Sequence, residues 1–492
     1  LDFEFSIECE DVTYNFYMKP IMYGVIQLKY KVKGFKFFKF IVLIVFVGSL
    51  VYGCYEYNEF TAVPATRLAT GSYYPEMPPD SHHYYLQLPI DHNDPSKGNF
   101  TDFYILSPAF KQGQEVIFWL FDNQQEAVGM INSSDDFEYF ENNLGGLSYV
   151  LIGNRGVSPT LFPEVYNKNG TINYNLALKL YGSSQQIEDI EAVRQDMQKK
   201  GLLPPDGKIM LYGGSGGGFL VQQYLDKYGS HVSRALIEFS GAPDIAQQHN
   251  VTFASNLYEQ NPDAAKLYFV LSQNETRTSL AFTMFKLGLE GDKESQTRIV
   301  ESQVEGAKLK DKYLYFKKWI NPPYNFPLVN FIIGIPSELE VKVRIYELIG
   351  ADLKEYNPAS PQEVNLMYEW TGVILADFLK ANADGIISVP HFSLNRSNYT
   401  GEVMVWSGTK DQDFNKQMAK WISDSYPNSQ QAIFNDTHKR DKYDDYYSNF
   451  RKAFFITGLN SSETQSYFQD ARQLRAYPES PAALNVMQAH GK

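Results

Sequence analysis

The sequence predicts an α/β chain, built on a mostly parallel central sheet with helices on both faces and a helical block inserted late in the sheet. Three observations predict it. Short apolar runs alternate with helix-period segments between residues 115 and 240, as strands buried on both faces and joined by helical crossovers do. The run from Lys208 to Val221 passes from an apolar strand pattern, through a glycine cluster, directly into a helix pattern. The alternation then stops at about Asp244 and resumes at Glu402.

In chain order, Tyr84 to Ile90 and Phe100 to Leu106 alternate like paired antiparallel strands around the turn Asp91-His92-Asn93-Asp94-Pro95. Glu115 to Phe121 and Tyr149 to Gly153 are near-continuous apolar runs, as expected of buried strands. Ser184 to Lys200 places Ile187, Ile190, Val193 and Met197 on one helical face. Leu220, Tyr224 and Tyr228 continue the glycine cluster as a helix, and Arg234 to Phe239 reads as the next strand. The inserted block, residues 244–399, carries helix patterns at Ala264–Leu271, Thr297–Ala307 and Pro361–Leu379, and an apolar, proline-broken stretch from Pro322 to Ile333. It is expected to form a lid over a pocket. Glu402 to Gly408, a helix from Phe414 to Tyr426, and Gln431 to Phe434 resume the sheet, followed by a helical region to about Leu474. The expected organisation is an N-terminal extension and export segment over 1–53, a proline-bearing linker over 54–81, a core of 82–243 and 400–475, the lid, and a tail over 476–492.

The composition excludes several classes. Of the 492 residues, 43% are apolar and 15% aromatic, enough for a sizeable core. A net charge of -13 argues against nucleic acid as a partner, because phosphate binding needs a basic face. The two cysteines, Cys9 and Cys54, precede the core, so neither a disulfide framework nor a thiolate metal site is readable. The glycine cluster lacks the Gly-Lys-Ser/Thr ending of a phosphate-binding loop. Phe219 also stands where a dinucleotide fingerprint needs its third glycine. No cofactor is expected.

Lys29, Lys31, Lys33, Lys36 and Lys39 precede the uncharged run Phe40 to Gly53, a pattern of export. The run is shorter than the roughly 20 residues of a membrane span, which favours a cleaved signal, although Lys36 and Lys39 could snorkel and make it an anchor. Val51-Tyr52-Gly53-Cys54 resembles a lipobox, with lipid on Cys54, except that Tyr52 is large; an incidental cysteine is the alternative. Nine Asn-x-Ser/Thr sequons also suit an exported glycoprotein, though the Asn content accounts for part of that number.

The chemistry-bearing stretch is Gly213-Gly214-Ser215-Gly216-Gly217. A serine on a sharp strand-to-helix turn projects its hydroxyl above the sheet, and the following amide, that of Gly216, points at the oxygen of the group attacked. A serine hydroxyl needs an imidazole to take its proton and a carboxylate to orient that imidazole. In this architecture their order is serine, acid, histidine. His438, just after the last strand, is placed for the base; His391 lies at the end of the lid and His490 in the tail. The loop Gly408-Thr409-Lys410-Asp411-Gln412-Asp413 offers Asp411 as the acid, with Asp413 as the runner-up or as a helix N-cap before Phe414. A second oxyanion donor is expected in the loop after Phe121, around Asp122 and Asn123.

These motifs together resemble the α/β-hydrolase fold and, within it, the proline-iminopeptidase and tripeptidyl-aminopeptidase-like serine peptidases. The matching pieces are Leu88-Pro89-Ile90-Asp91-His92-Asn93-Asp94-Pro95, Gly153-Asn154-Arg155-Gly156-Val157-Ser158, the Ser215 elbow, Gly408-Thr409-Lys410-Asp411, and His438. They cover about residues 82–240 and 402–470. The resemblance implies a peptide substrate cut from a free N-terminus, with acidic lid residues holding the ammonium group; those acids cannot be placed on this lid. Arg155-Gly156 is taken as structural. Two departures stand out. Phe121-Asp122-Asn123-Gln124-Gln125 replaces the family's His-Gly-Gly-Pro-Gly, putting a carboxylate near a developing negative charge, and Gly216 stands where an aromatic residue is common. A carboxylester hydrolase with the same triad, and a non-catalytic binding protein on the same frame, are the alternatives.

Overall fold

The computed structural model describes residues 3–9, 12–18, 83–122, 137–155, 162–271, 275–305, 339–440 and 444–473. Contacts divide the chain into two units, Leu1–Tyr55 and Glu56–Lys492. In the first, β1 (Phe3–Cys9) pairs antiparallel with β2 (Val12–Met18), Phe3 opposite Met18 and Cys9 opposite Val12. The period-two pattern Phe3, Phe5, Ile7, Cys9 against Glu4, Ser6, Glu8 carries this hairpin, in a stretch where the sequence predicts only an extension. The lysine-flanked apolar run and Cys54 lie outside the described residues, as do Asn123, Gly156 to Ser158, Pro322 to Ile333 and His490. Among the described residues no helix is long and apolar enough to cross a membrane.

The second unit is organised on eight strands: β3 (His83–Pro89), β4 (Asn99–Leu106), β5 (Ile117–Trp119), β6 (Tyr149–Ile152), β7 (Ile209–Gly214), β8 (Val232–Glu238), β9 (Glu402–Gly408) and β10 (Ser429–Phe434). Their order is β10-β9-β8-β7-β5-β6-β4-β3. β3 and β4 form an antiparallel pair and β4 meets β6 antiparallel, while β6, β5, β7, β8, β9 and β10 run parallel. The serine-bearing β7 is therefore central.

Helices cover both faces. α1 (Glu138–Leu144), α2 (Tyr174–Tyr181), α3 (Ser183–Lys199) and α4 (Gly216–Tyr228) precede the inserted block, and α5 (Pro243–His249) opens it. Successive strand residues face opposite sides. On β7, Ile209 and Leu211 pack with Ile187, Ile190 and Val193 of α3, and Met210 and Tyr212 pack on the other face with Phe450 and Phe454. Those phenylalanines belong to the last helices but one, after the block.

The inserted block holds α6 (Leu257–Gln260), α7 (Pro262–Phe269), α8 (Glu275–Leu289), α9 (Lys293–Glu305), α10 (Leu339–Leu353), α11 (Leu366–Ile374) and α12 (Ala376–Ala383). It is not one body of packing. Leu257, Tyr268, Leu280, Met284, Ile299 and Trp370 form a core of their own, whereas Val343, Tyr346 and Ile349 of α10 and Phe378 of α12 join the core beneath the sheet. The helix expected over Pro361–Leu379 is a short 3₁₀ turn followed by α11 and α12, which meet at Leu375. Beyond β9 come α13 (Met418–Asp424), α14 (Asp444–Thr457) and α15 (Ser462–Gln473). α13 starts later than the expected Phe414, because residues 409–417 form the loop that carries the two aspartates.

Candidate active site

The elbow is built from its backbone upward. β7 ends at Gly214, α4 begins at Gly216, and Ser215 between them has φ 53° and ψ −128°. A non-glycine residue in such a conformation costs on the order of 1–3 kcal/mol, so the surroundings must hold it. They do: Ser215 N donates to Glu238 O at 2.9 Å, and Gly218 N donates to Ser215 O at 3.1 Å. Gly213 and Gly218 are needed for space. A Cβ on Gly213 would lie 2.4 Å from Gly217 O, and one on Gly218 would lie 2.6 Å from Ser240 Cβ.

The candidate acid and base come from adjacent loops. β9 and β10 are parallel neighbours, so the loops at their C-terminal ends lie side by side, joined by Thr409 N to Phe434 O at 2.9 Å and Lys410 N to Asp436 O at 3.1 Å. His438 Nδ1 meets Asp411 Oδ2 at 3.2 Å. Its other nitrogen, Nε2, lies 3.6 Å from Asp413 Oδ2. Asp411 Oδ1 accepts the backbone N–H of Asp413 at 2.8 Å, fixing the two carboxylates on either side of the ring. Asp413 caps no helix, because the next one begins at Met418. Phe239 meets the imidazole edge-on, centroids 6.1 Å apart, and Phe414 lies 5.7 Å away.

Burial disfavours the imidazolium, yet the Asp411 carboxylate, by charge and hydrogen bond, and then Asp413 outweigh it and raise His438 to about 9. Burial also pushes the Asp413 carboxyl upward; the His438 charge opposes that and the Asp411 charge adds to it. Asp413 Oδ1 is buried without a hydrogen-bond partner. Ser215, His438 and Asp413 line one cavity of about 190 Å³, whose other walls include Phe253, Phe285, Leu289, Ile345, Ile349 and Trp370. Among the described residues no hydrogen bond joins Ser215 Oγ to His438. The imidazole must exchange Asp413 for Ser215 to act as its base.

On the oxyanion side, Gly216 opens α4, where a backbone N–H has no acceptor within the helix. Asp122 follows β5, beside β7. Its carboxylate takes both arms of a guanidinium: Arg344 Nε to Oδ1 and Nη2 to Oδ2, each at 2.8 Å, with both side chains fully buried. Arg344 also pairs with Glu347, whose carboxylate accepts Ser183 N at 3.0 Å. The preceding carbonyl, Phe121 O, accepts from Asn154 Nδ2 at 3.0 Å and Gln186 Nε2 at 2.9 Å. The charge that made Asp122 an awkward neighbour is thus answered by a cation from α10. Sequence reasoning missed Arg344 and Glu347, which sit in no motif. The available signal was an arginine set among Val341, Val343, Ile345 and Leu348 in the helix pattern of Leu339–Leu353.

Two of the matching stretches meet away from this cavity. Arg155 is fully buried and grips Asp189 through Nε and Nη2, at 2.6 and 2.7 Å. It also donates to the carbonyls of Ile90 and Leu180, at 3.0 and 2.7 Å. His92 Nε2 reaches the same Asp189 at 2.7 Å. This network clamps the hairpin turn to α3. His391 is exposed and lines a separate surface groove with His249 and Trp421. Among the described residues no group of three or more His, Cys, Asp or Glu is placed to hold a metal ion.

Neither a family model nor a curated protein matches the sequence. Solved structures similar to the chain include an esterase from Exiguobacterium antarcticum, 15% identical with TM-score 0.31, the match covering 71% of this chain and 96% of that one. Another is an esterase from Rhodococcus sp. ECU1013, 13% identical, TM-score 0.37, covering 73% and 96%. A third is the 2-hydroxy-6-oxo-6-phenylhexa-2,4-dienoate hydrolase of Rhodococcus sp. strain RHA1, 14% identical, TM-score 0.34, covering 71% and 90%. Likeness of that degree says nothing about activity. By its strand order, its parallel core and its strand-to-helix serine turn, the chain has the α/β-hydrolase fold.

Proposed function

We propose that the chain is a serine hydrolase that works through an acyl-enzyme, with Ser215 as nucleophile, His438 as base and Asp411 as orienting acid. The observation that carries this reading is the opening of Ser215 and His438 onto one cavity, with Asp411 on the far nitrogen of the ring. Ser215 Oγ attacks the substrate carbonyl carbon as its proton passes to His438 Nε2. The oxyanion forms against the Gly216 N–H. Collapse breaks the bond to the leaving group, which takes the proton from the imidazolium. Water then repeats the sequence on the acyl-enzyme and frees the acid.

Within that chemistry the finer reading is an exported aminopeptidase of the prolyl or tripeptidyl type. The matching motifs support it, and so does the incompletely paired Asp413 carboxylate in an otherwise apolar cavity, a site suited to a free ammonium group. The apolar walls Phe253, Phe285, Leu289 and Trp370 favour a second reading, a carboxylester hydrolase. Export rests on sequence features alone, the basic stretch with its apolar run and the nine sequons. Ser215→Ala is expected to abolish turnover and fluorophosphonate labelling; full activity in that variant ends the assignment. A matched panel of amides and esters, N-terminally free and blocked, separates the two substrate classes: turnover of free but not blocked peptides selects the peptidase.

A further inference from the structure

Behind the elbow lies a charged cluster that never touches the reacting atoms. Glu238 ends β8 and is fully buried. Its backbone oxygen is the acceptor that holds Ser215 N, at 2.9 Å. Its carboxylate accepts Tyr212 Oη at 3.0 Å, and Arg451 Nε and Nη2 at 2.6 and 3.0 Å. It also pairs with Arg440. Tyr212 lies on β7, three residues before the serine, and Arg451 on α14.

Arg440 differs from Arg451 in what it anchors. It stands two residues beyond His438, in a left-handed conformation with φ 57° that an arginine adopts only under constraint. Its guanidinium lies over the Phe239 ring, 5.5 Å from the centroid, and that ring meets the His438 imidazole edge-on. The Arg440 Nη1 atom comes within 3.6 Å of where a Cβ on Gly214 would sit, so the guanidinium reaches the underside of the elbow. The Glu238 charge is already met by Arg451 and Tyr212, so a second cation is not required for its neutralisation. What the second cation adds is a connection: one buried residue holds the nucleophile by its main chain and the loop of the base by its side chain.

We propose that Arg440, anchored on Glu238, is a positioning residue that sets the approach of His438 to Ser215. This rests on those two residues being base and nucleophile. Hydrogen-bonded general-base transfer is steep in distance, and an error near 1 Å in such a pair costs on the order of 10²-fold in rate. The pairing of Glu238 with Arg451 and Tyr212 remains when Arg440 is replaced, so the fold should survive the change.

The test uses the full chain with Arg440→Met, Arg440→Ala and Arg440→Lys, measuring kcat and KM on an activated amide or ester, the rate of fluorophosphonate labelling, and the thermal midpoint. The expected result for Arg440→Met is a kcat and a labelling rate lower by about ten- to a hundredfold, with KM within about twofold and little change in melting. Arg440→Lys should recover part of the rate, and added guanidinium ion should partly rescue Arg440→Ala. Wild-type kcat and labelling in Arg440→Met overturns the proposal. So does a loss that only follows a lowered midpoint and is recovered by neither lysine nor guanidinium. Full turnover in Ser215→Ala would instead dismiss the serine as nucleophile, a result separate from either outcome at Arg440.

Discussion

Asp122 and Asp413 stand on loops to either side of the elbow strand, one after β5 and one after β9, and both are buried. Their surroundings differ. Asp122 has both oxygens held at 2.8 Å by Arg344. Asp413 leaves Oδ1 without a partner and offers Oδ2 to His438 Nε2 at 3.6 Å, beyond a good hydrogen bond. A carboxylate enclosed by a two-armed guanidinium is scaffold: its charge is settled and its role is to hold a loop. A carboxylate kept dry with an unmet oxygen is maintained against its own solvation, and such sites are kept where chemistry uses the unmet charge. Removing the first kind should cost stability, and removing the second should cost function.

The largest effect expected is at the neighbour of Asp413. Asp411→Asn should lower kcat by about 10⁴-fold, the loss typical when the orienting acid of a serine triad is made neutral. A larger fall in Asp413→Asn than in Asp411→Asn would exchange the two roles and break the contrast with Asp122. Next in size, Arg344→Met leaves Asp122 and Glu347 buried without their cation and should destabilise the chain by about 3–5 kcal/mol, read from the denaturant midpoint. Asp413→Asn should leave stability unchanged or raised; an equal loss in both variants would erase the distinction.

The smallest effect is in pH dependence. His438 accepts a proton only when neutral, and its value is raised to about 9, so kcat/KM should climb as pH rises toward that value and level off above it. Asp413→Asn removes one of the charges that raise it, so the rising limb should move down toward the ordinary imidazole range. A limb that does not move would show that Asp413 does not act on the ring.

The sheet was readable because its strands announce themselves. Tyr149 to Ile152 and Ile209 to Leu211 are apolar on both sides, as parallel strands must be, and the glycine cluster marks a tight turn, where side chains at Gly213 and Gly218 would collide with their neighbours. The positions of Asp411 and His438 followed from the same logic, since each comes after the strand that the architecture requires. The cluster of Glu238 with Arg440 and Arg451 was not readable, because its members lie far apart in the chain and each alone resembles an ordinary charged residue. Nor was Arg344: only contact with Asp122, 222 positions away, gives it meaning. The hairpin of β1 and β2 is hard to read for a different reason: its two strands are short and precede a basic stretch and apolar run that carry the stronger pattern.

The grip of α10 on Asp122 bears on how this fold could be re-engineered. The natural plan for altering selectivity is to exchange the whole block between β8 and β9 for one from another hydrolase. Here that chimera would discard Arg344, whose guanidinium holds Asp122 on the loop after β5, and would strand a buried acid there. A successful graft would have to keep Leu339–Leu353 with the recipient, moving the seams inward, or mutate Asp122 together with the exchange.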